Sequence, residues 1–244
     1  MTWNLSSVRR IFKPTRQRTI RNKRNFRPAI ERLEDRVNPS NINITSFHYD
    51  PFIQGQDTQE QALTPLNVNS NIFGKLASVN VDGYTYAQPL YLTGLMIGGN
   101  PHDVAFVSTQ HDSVYAFDIV KNATSGAVTI TQLWQRSFIT GGPGGPTTPG
   151  ITSVPQPDVI SGDIVPEIGI TGGPAIDTST NTLYLVVKTK EMRADGAHYV
   201  QTIHALDVTT GGDTTTPYII GDTHTTTAVF ANETTAIMVA GVGA

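Results

Sequence analysis

Residues 162–190 read GDIVPEIGITGGPAIDTSTNTLYLVVKTK, and the order of turn and strand chemistry in them decides the fold. Gly172-Gly173-Pro174 breaks the chain, Ala175-Ile176-Asp177 begins an extended stretch, Thr178-Ser179-Thr180-Asn181 turns it, and Leu183-Tyr184-Leu185-Val186-Val187 runs back. Asp177 and Asn181 suit the turn because their short polar side chains can bond nearby backbone amides. An unbroken apolar and β-branched run between turn signals predicts a strand buried on both faces. A hairpin covered on both sides needs sheets above and below it, so this stretch predicts a stack of similar sheets.

A second copy of the unit lies upstream. Pro89-Leu90-Tyr91 corresponds to Pro174-Ala175-Ile176, Val104-Ala105-Phe106-Val107 to Leu183-Tyr184-Leu185-Val186, and Val114-Tyr115-Ala116-Phe117-Asp118 to Ile203-His204-Ala205-Leu206-Asp207. The offset is 85 residues at the prolines and 89 at the aspartates. The two units span about residues 75–140 and 162–212, and once the intervening loop is allowed for, their core period falls in the range of β-propeller blades. Inside the first unit, Leu76–Val81 alternates apolar and polar, and Asp82-Gly83 predicts a hairpin turn into Tyr84–Ala87. Gly98-Gly99-Asn100-Pro101 and Gln110-His111-Asp112 are further turns, and Leu133–Phe138 reads as a strand. Residues 141–161 carry so many prolines that they predict a surface loop without sheet donors. Asn41–Phe47 and Tyr218–Ile220 each predict one flanking strand.

Composition agrees with an all-β chain. The 244 residues include 22 Gly and 15 Pro, with 38% hydrophobic content, which favours many turns and short strands. The absence of cysteine excludes disulfides, thiolate metal sites and a cysteine nucleophile. Residues 1–36 hold 11 of the 17 Lys and Arg but 3 of the 20 Asp and Glu, so they net +8 and the rest nets −11. The sequence thus predicts a basic arm, disordered or briefly helical over residues 1–40, followed by an acidic body over 41–244. An acidic body argues against nucleic acid as its ligand, because phosphate is repelled. No apolar run reaches the roughly 20 residues that span a bilayer.

Arg27-Pro28, Glu31-Arg32-Leu33-Glu34-Asp35-Arg36 and Pro39-Ser40 resemble the arginine-rich "LEDR..PS" leader of bacterial surface proteins, which implies export. Ile203-His204-Ala205-Leu206-Asp207-Val208-Thr209-Thr210-Gly211 resembles the "ALD..TG" element of pyrroloquinoline-quinone-type propeller repeats. Val114–Asp118 with Trp134-Gln135 resembles the same element with a longer loop. Phe73-Gly74-Lys75, Tyr86–Tyr91, His111–Asp118 and Gly162–Gly169 are similar to quinoprotein-like bacterial propeller proteins, so the likeness covers about residues 45–212. It implies an incomplete β-propeller of two blades and part of a third, because closed propellers have typically 4–8 blades. An uncovered blade face of a few hundred Å2, at roughly 25 cal/mol/Å2, forfeits on the order of 10 kcal/mol. A fragment, or a piece completed by another protein or by further blades, is therefore the expectation. The role so implied is a non-enzymatic, extracytoplasmic binding or structural module. The alternative is a quinone-dependent dehydrogenase using pyrroloquinoline quinone and calcium.

Four residues are candidates for a cofactor site. Asp163 and Glu167 flank Ile164-Val165-Pro166 and read either as a carboxylate pair for a hard cation or acid–base work, or as rim acids capping backbone amides. His111 and Asp112 read either as a pair facing a central pocket or as turn residues bonded to backbone. The six histidines (48, 102, 111, 198, 204 and 224) show no metal-ligand spacing, and His204 sits within a strand motif where packing is expected. Trp134 reads as a packing residue, with a stacked quinone as the alternative.

Overall fold

The computed structural model describes residues 43–49, 53, 55–56, 63–70, 73–159 and 162–225. The chain divides into two compact units, Met1–Arg36 and Val37–Ala244, and every described residue belongs to the second. The basic leader, the apolar stretch 237–244 and most of the link between Tyr49 and Leu63 lie outside the described residues.

Two antiparallel sheets make up the fold, and no α-helix occurs among the described residues. The first sheet is a meander of β1 (Leu90–Ile97), β2 (Asn100–Ser108), β3 (Ser113–Lys121) and β4 (Val128–Ser137) in that order. Gly98 and Gly99 both take positive φ, 59° and 84°, which a two-residue hairpin loop requires and which glycine adopts without steric cost. Asn122 holds the β3–β4 turn by accepting from the amides of Thr124 and Ser125 at 2.9 and 2.8 Å. A bulge between Ala116 and Phe117 lets Leu133 stand out of register while Trp134 stays opposite Ala116.

The second sheet follows through β5 (Ile151–Pro155), a 3-10 turn at Gln156–Asp158, β6 (Glu167–Ile168), β7 (Ala175–Asp177), β8 (Thr182–Arg193), β9 (Gly196–Asp207) and β10 (Tyr218–Thr225). Its spatial order is β10-β9-β8-β5-β6, with β7 paired to the start of β8. β7-β8-β9-β10 therefore repeats the meander of the first sheet, and β5 adds to the far end of β8. Asp177 builds the β7–β8 turn as the sequence predicts, accepting from Ser179 N at 2.9 Å, Ser179 Oγ at 2.6 Å and Thr180 Oγ1 at 2.9 Å. Asn181 completes the turn at φ 52°.

Each sheet has two distinct faces. In the first, Leu90, Phe106, Val104, Val114 and Ala116 join one core with Ile176, Leu183, Leu185, Leu206 and Val208 of the second. Directly paired residues share a face, so Trp134 (opposite Ala116) and Arg136 (opposite Val114) also point toward the second sheet. On the other face of the first sheet, Tyr115 and Phe117 stack at 5.4 Å. They are buried there, with Asp82 N donating to Tyr115 Oη at 3.2 Å. The residues 43–45 tie the two inner strands together: Ile44 exchanges bonds of 2.8 and 2.9 Å with Tyr91, and Ile176 N donates to Thr45 O at 2.7 Å.

Four expectations need correction. Leu183–Val187 is not buried on both faces: Leu183, Leu185 and Val187 are buried, whereas Tyr184 and Val186 are exposed. The reason is pleating, which sends alternate residues to opposite faces, and the described residues cover one of them. Leu76–Val81 and Tyr84–Ala87 form no hairpin; neither is a strand, and Tyr84 O accepts from Gln110 N of the β2–β3 turn at 2.8 Å. The proline-rich 141–161 region contains β5, since Ile151, Thr152 and Ser153 lie between Pro149 and Pro155 and pair with β8. Finally, Phe106 faces Ala116 and Tyr184 faces Ala205, so the β2–β8 correspondence aligns Phe106 with Tyr184, one residue away from Leu185. The correspondences at the prolines and at Ala116/Ala205 stand in this register.

Candidate functional site

The sheet pairing brings three of the four candidate residues to the β2–β3 turn. Thr109 N donates to Ser113 O at 2.9 Å to close that turn, and Asp112 at its tip takes φ 52°, a left-handed conformation that Asp and Asn tolerate. His111 Nδ1 lies 2.8 Å from Glu167 Oε1. Glu167 Oε2 accepts from Ser153 Oγ on β5. Both oxygens of Glu167 are thus engaged. Asp163 sits exposed in the loop before β6 and belongs to no part of this cluster's bonds to His111 or Ser153.

Gln110 anchors the same turn to the segment after β6. It is fully buried; Nε2 donates to Ile170 O at 3.0 Å, and Oε1 accepts from Gly169 N at 3.0 Å and Thr171 Oγ1 at 2.9 Å. No local pattern marks Gln110, since a buried amide is defined by partners about 60 residues away.

Asp112 is the unusual group. Neither carboxylate oxygen has a partner at hydrogen-bonding geometry, and burial, followed by the charge of Glu167, pushes its pKa well above the usual range. The Lys188 backbone amide opposes this rise, and the charge of Asp82, the smallest of these contributions, adds to it. Asp82 itself is spent on Thr109 Oγ1 and Ser113 Oγ, at 2.8 and 2.5 Å. In the unfolded chain Asp112 loses its proton near 3.8. Its stabilising contribution is therefore complete below that pH and is lost as pH rises through the higher folded value. Asp112→Asn keeps the shape and the left-handed backbone. It is expected to raise the thermal midpoint at pH 7.5 by about 1 kcal/mol equivalent, with little gain at pH 4. Equal effects at the two pH values, measured by scanning calorimetry, contradict this assignment.

A second cluster joins the sheets. Arg136 Nη2 bonds Asp213 Oδ2 at 3.0 Å, and Asp213 Oδ1 lies 2.8 Å from His204 Nδ1. Phe138 packs on His204 at 4.4 Å, with the Arg136 guanidinium 5.6 Å from the Phe138 ring. Burial pulls the His204 pKa down, against the pull of Asp213. Trp134 Nε1 donates to Val208 O at 3.1 Å, its ring meets Phe106 at 5.9 Å, and a Cβ on Gly211 would fall 2.6 Å from Trp134 Cε3. The indole is thus a packing residue, with Gly211 (φ 73°) shaped to receive it.

A third cluster fastens the β8–β9 hairpin tip to β10: His198 Nδ1 lies 2.8 Å from Asp222 Oδ1 and its Nε2 lies 3.0 Å from Asp195 Oδ1. The bond to Asp222 raises the His198 pKa above 6.5. That contribution is complete below pH 6.5 and is lost as pH rises through the folded value. His198→Gln should flatten the fall in thermal midpoint between pH 6 and 8; an unchanged slope contradicts it.

Glu167 is engaged on both oxygens, and among the described residues no group of three or more His, Cys, Asp or Glu is placed to hold a metal ion. Among the same residues no helix is long and apolar enough to cross a membrane. No protein-family model, curated protein or solved structure matched the chain.

Proposed function

We propose that the two sheets are consecutive blades of a β-propeller and that the chain is a binding or structural module rather than a catalyst. The observation that carries this reading is the sense of stacking. Phe117 and Leu206 hold the same place in the repeated Ala-Phe-Asp and Ala-Leu-Asp motifs, and both face away from the next sheet in sequence. Phe117 lies on the outer side of the first sheet, and Leu206 points back into the core shared with it. Ala116 and Ala205 correspondingly face forward. Identical orientation in successive four-stranded meanders is the front-to-back order of propeller blades. The likeness of Glu31–Ser40 to surface-protein leaders supports an extracytoplasmic setting in a bacterium.

Two experiments test this. Pyrroloquinoline quinone with calcium, at saturating concentration, should leave the thermal midpoint unchanged; a rise of several degrees overturns the non-enzymatic reading in favour of a quinoprotein. Fused to a phosphatase that is active only outside the cytoplasm, residues 1–40 should give activity in bacterial cells; its absence removes the export reading.

A further inference from the structure

We propose that the forward face of the second sheet is a docking surface for one further antiparallel sheet, of the kind whose covering face is aliphatic. This rests on the reading of the sheets as consecutive blades. Pairing places Tyr184, Val186, Ile203, Ala205 and Tyr218 on one face: Tyr184 opposes Ala205, Val186 opposes Ile203, and Tyr218 opposes Ile203 from the other side. This is the face opposite Leu183 and Leu206.

Position-by-position comparison with the first sheet identifies the occupant. Val114 and Phe106 are 0% and 3% exposed because the second sheet covers them, whereas their counterparts Ile203 and Tyr184 are 37% and 44% exposed. Ala116 is buried; Ala205 is half-buried. The interface already formed between the sheets therefore has a counterpart on this face, with Tyr184, Ala205 and Ile203 at the places of Phe106, Ala116 and Val114, Thr182 at that of Val104, and no cover among the described residues. What fits it is what fits the first sheet, a twisted meander presenting residues like Leu183, Leu185 and Leu206. One detail differs. Arg136, which meets Asp213 across the first interface, is replaced at the corresponding place by Tyr218, opposite Ile203 as Arg136 is opposite Val114. The occupant is thus expected to carry no acid there, and to offer an apolar surface or an acceptor for the Tyr218 hydroxyl. Toward the hairpin tip the face is closed by Asp158, which bonds Lys190 Nζ at 2.5 Å and Tyr199 Oη at 3.0 Å.

A second copy of the chain is a poor occupant. Front-to-back stacking needs a rear face, and in each copy the rear face of the first sheet is already closed over Tyr115 and Phe117, while that of the second sheet is closed by the first.

The test is hydroxyl-radical footprinting of the full chain and of the full chain with residues 138–225 appended in frame as an extra sheet. In the parent, Tyr184 and Tyr218 should label as strongly as exposed Tyr84. In the extended chain the first-copy Tyr184 and Tyr218 should fall to the level of buried Tyr115, with Tyr84 unchanged. Persistent labelling of Tyr184 despite added strand signal in circular dichroism overturns the proposal and leaves the blade reading intact. Heavy labelling of Phe106 and Leu206 in the parent instead overturns the blade reading. Protection of Tyr184 in the parent at every concentration means residues 226–244 cover the face, and protection only at high concentration means self-association; either overturns the proposal. A second variant does not depend on folding of the appended sheet. Val186→Lys with Ile203→Lys in the parent should shift the midpoint by no more than about 3 °C, as expected for uncovered positions. A loss above about 10 °C shows that the chain already covers the face and overturns the proposal.

Discussion

Gly169→Ala is expected to be among the most destabilising single substitutions in the chain, by about 3 kcal/mol in urea denaturation. A Cβ at this position would lie 2.6 Å from Asp112 Oδ1 and closer still to the Gln110 carbonyl oxygen. Neither neighbour can yield. The Gln110 carbonyl belongs to a turn closed by Thr109 and Ser113, and Asp112 is sealed beneath it. Moving Gly169 outward would instead break its own amide bond to Gln110 Oε1 and leave a buried acceptor short of a partner. Gly172→Ala is the control, because a Cβ there meets nothing within 4 Å. A near-neutral Gly172→Ala beside a strongly destabilised Gly169→Ala confirms the close approach. Equal effects contradict it.

The second large effect is an asymmetry between neighbouring residues of one strand. Leu206→Ala should cost about 3 kcal/mol, within the usual range for a fully buried leucine that leaves a cavity. Ile203→Ala, three residues away on the opposite face, should cost under about 1 kcal/mol, because its side chain is partly in solvent already. Urea midpoints at constant slope measure both. A comparable loss at Ile203 would mean that its face is covered, and the two-faced description of the second sheet would be wrong.

Much of the fold was legible because it rests on local chemistry. The Gly98-Gly99 and Asp177–Asn181 turns, the strands around Val104–Ser108, Val114–Asp118 and Leu183–Val187, and the strand at Tyr218–Ile220 all follow from turn residues and alternation. What failed had a shared cause. Alternation at Leu76–Val81 reports which residues are apolar, yet a strand also needs a partner edge, and Tyr84 O is instead used by the Gln110 amide. The run Leu183–Val187 cannot say whether a cover exists for Tyr184 and Val186, since burial of a face depends on what packs there. Similarly, prolines at 155 and 157 hid β5, although both lie at or after its end.

The candidate site was half legible. Charge and turn placement mark His111, Asp112 and Glu167 individually, but a separation of 56 positions hides the bond between His111 and Glu167. Only sequence proximity pairs Asp163 with Glu167, and Glu167 bonds His111 and Ser153. The clamp of Arg136, Asp213 and His204 is not legible in the sequence because it joins three strands or loops that become neighbours only after the sheets stack. Its one sequence sign is Asp213, an acid directly after the Thr209–Gly212 turn.

The two sheets face each other through Trp134 on one side and the turn at Gly211 on the other. The chain has two tryptophans, so the Trp134 indole is readily assigned by comparison with a Trp3→Phe variant. In a nuclear Overhauser experiment, Trp134 Hε3 should show strong cross-peaks to the Gly211 α protons, which should also be shifted upfield by the ring. Cross-peaks from Trp134 confined to residues 90–140, with Gly211 at an ordinary shift, would contradict the stacked arrangement.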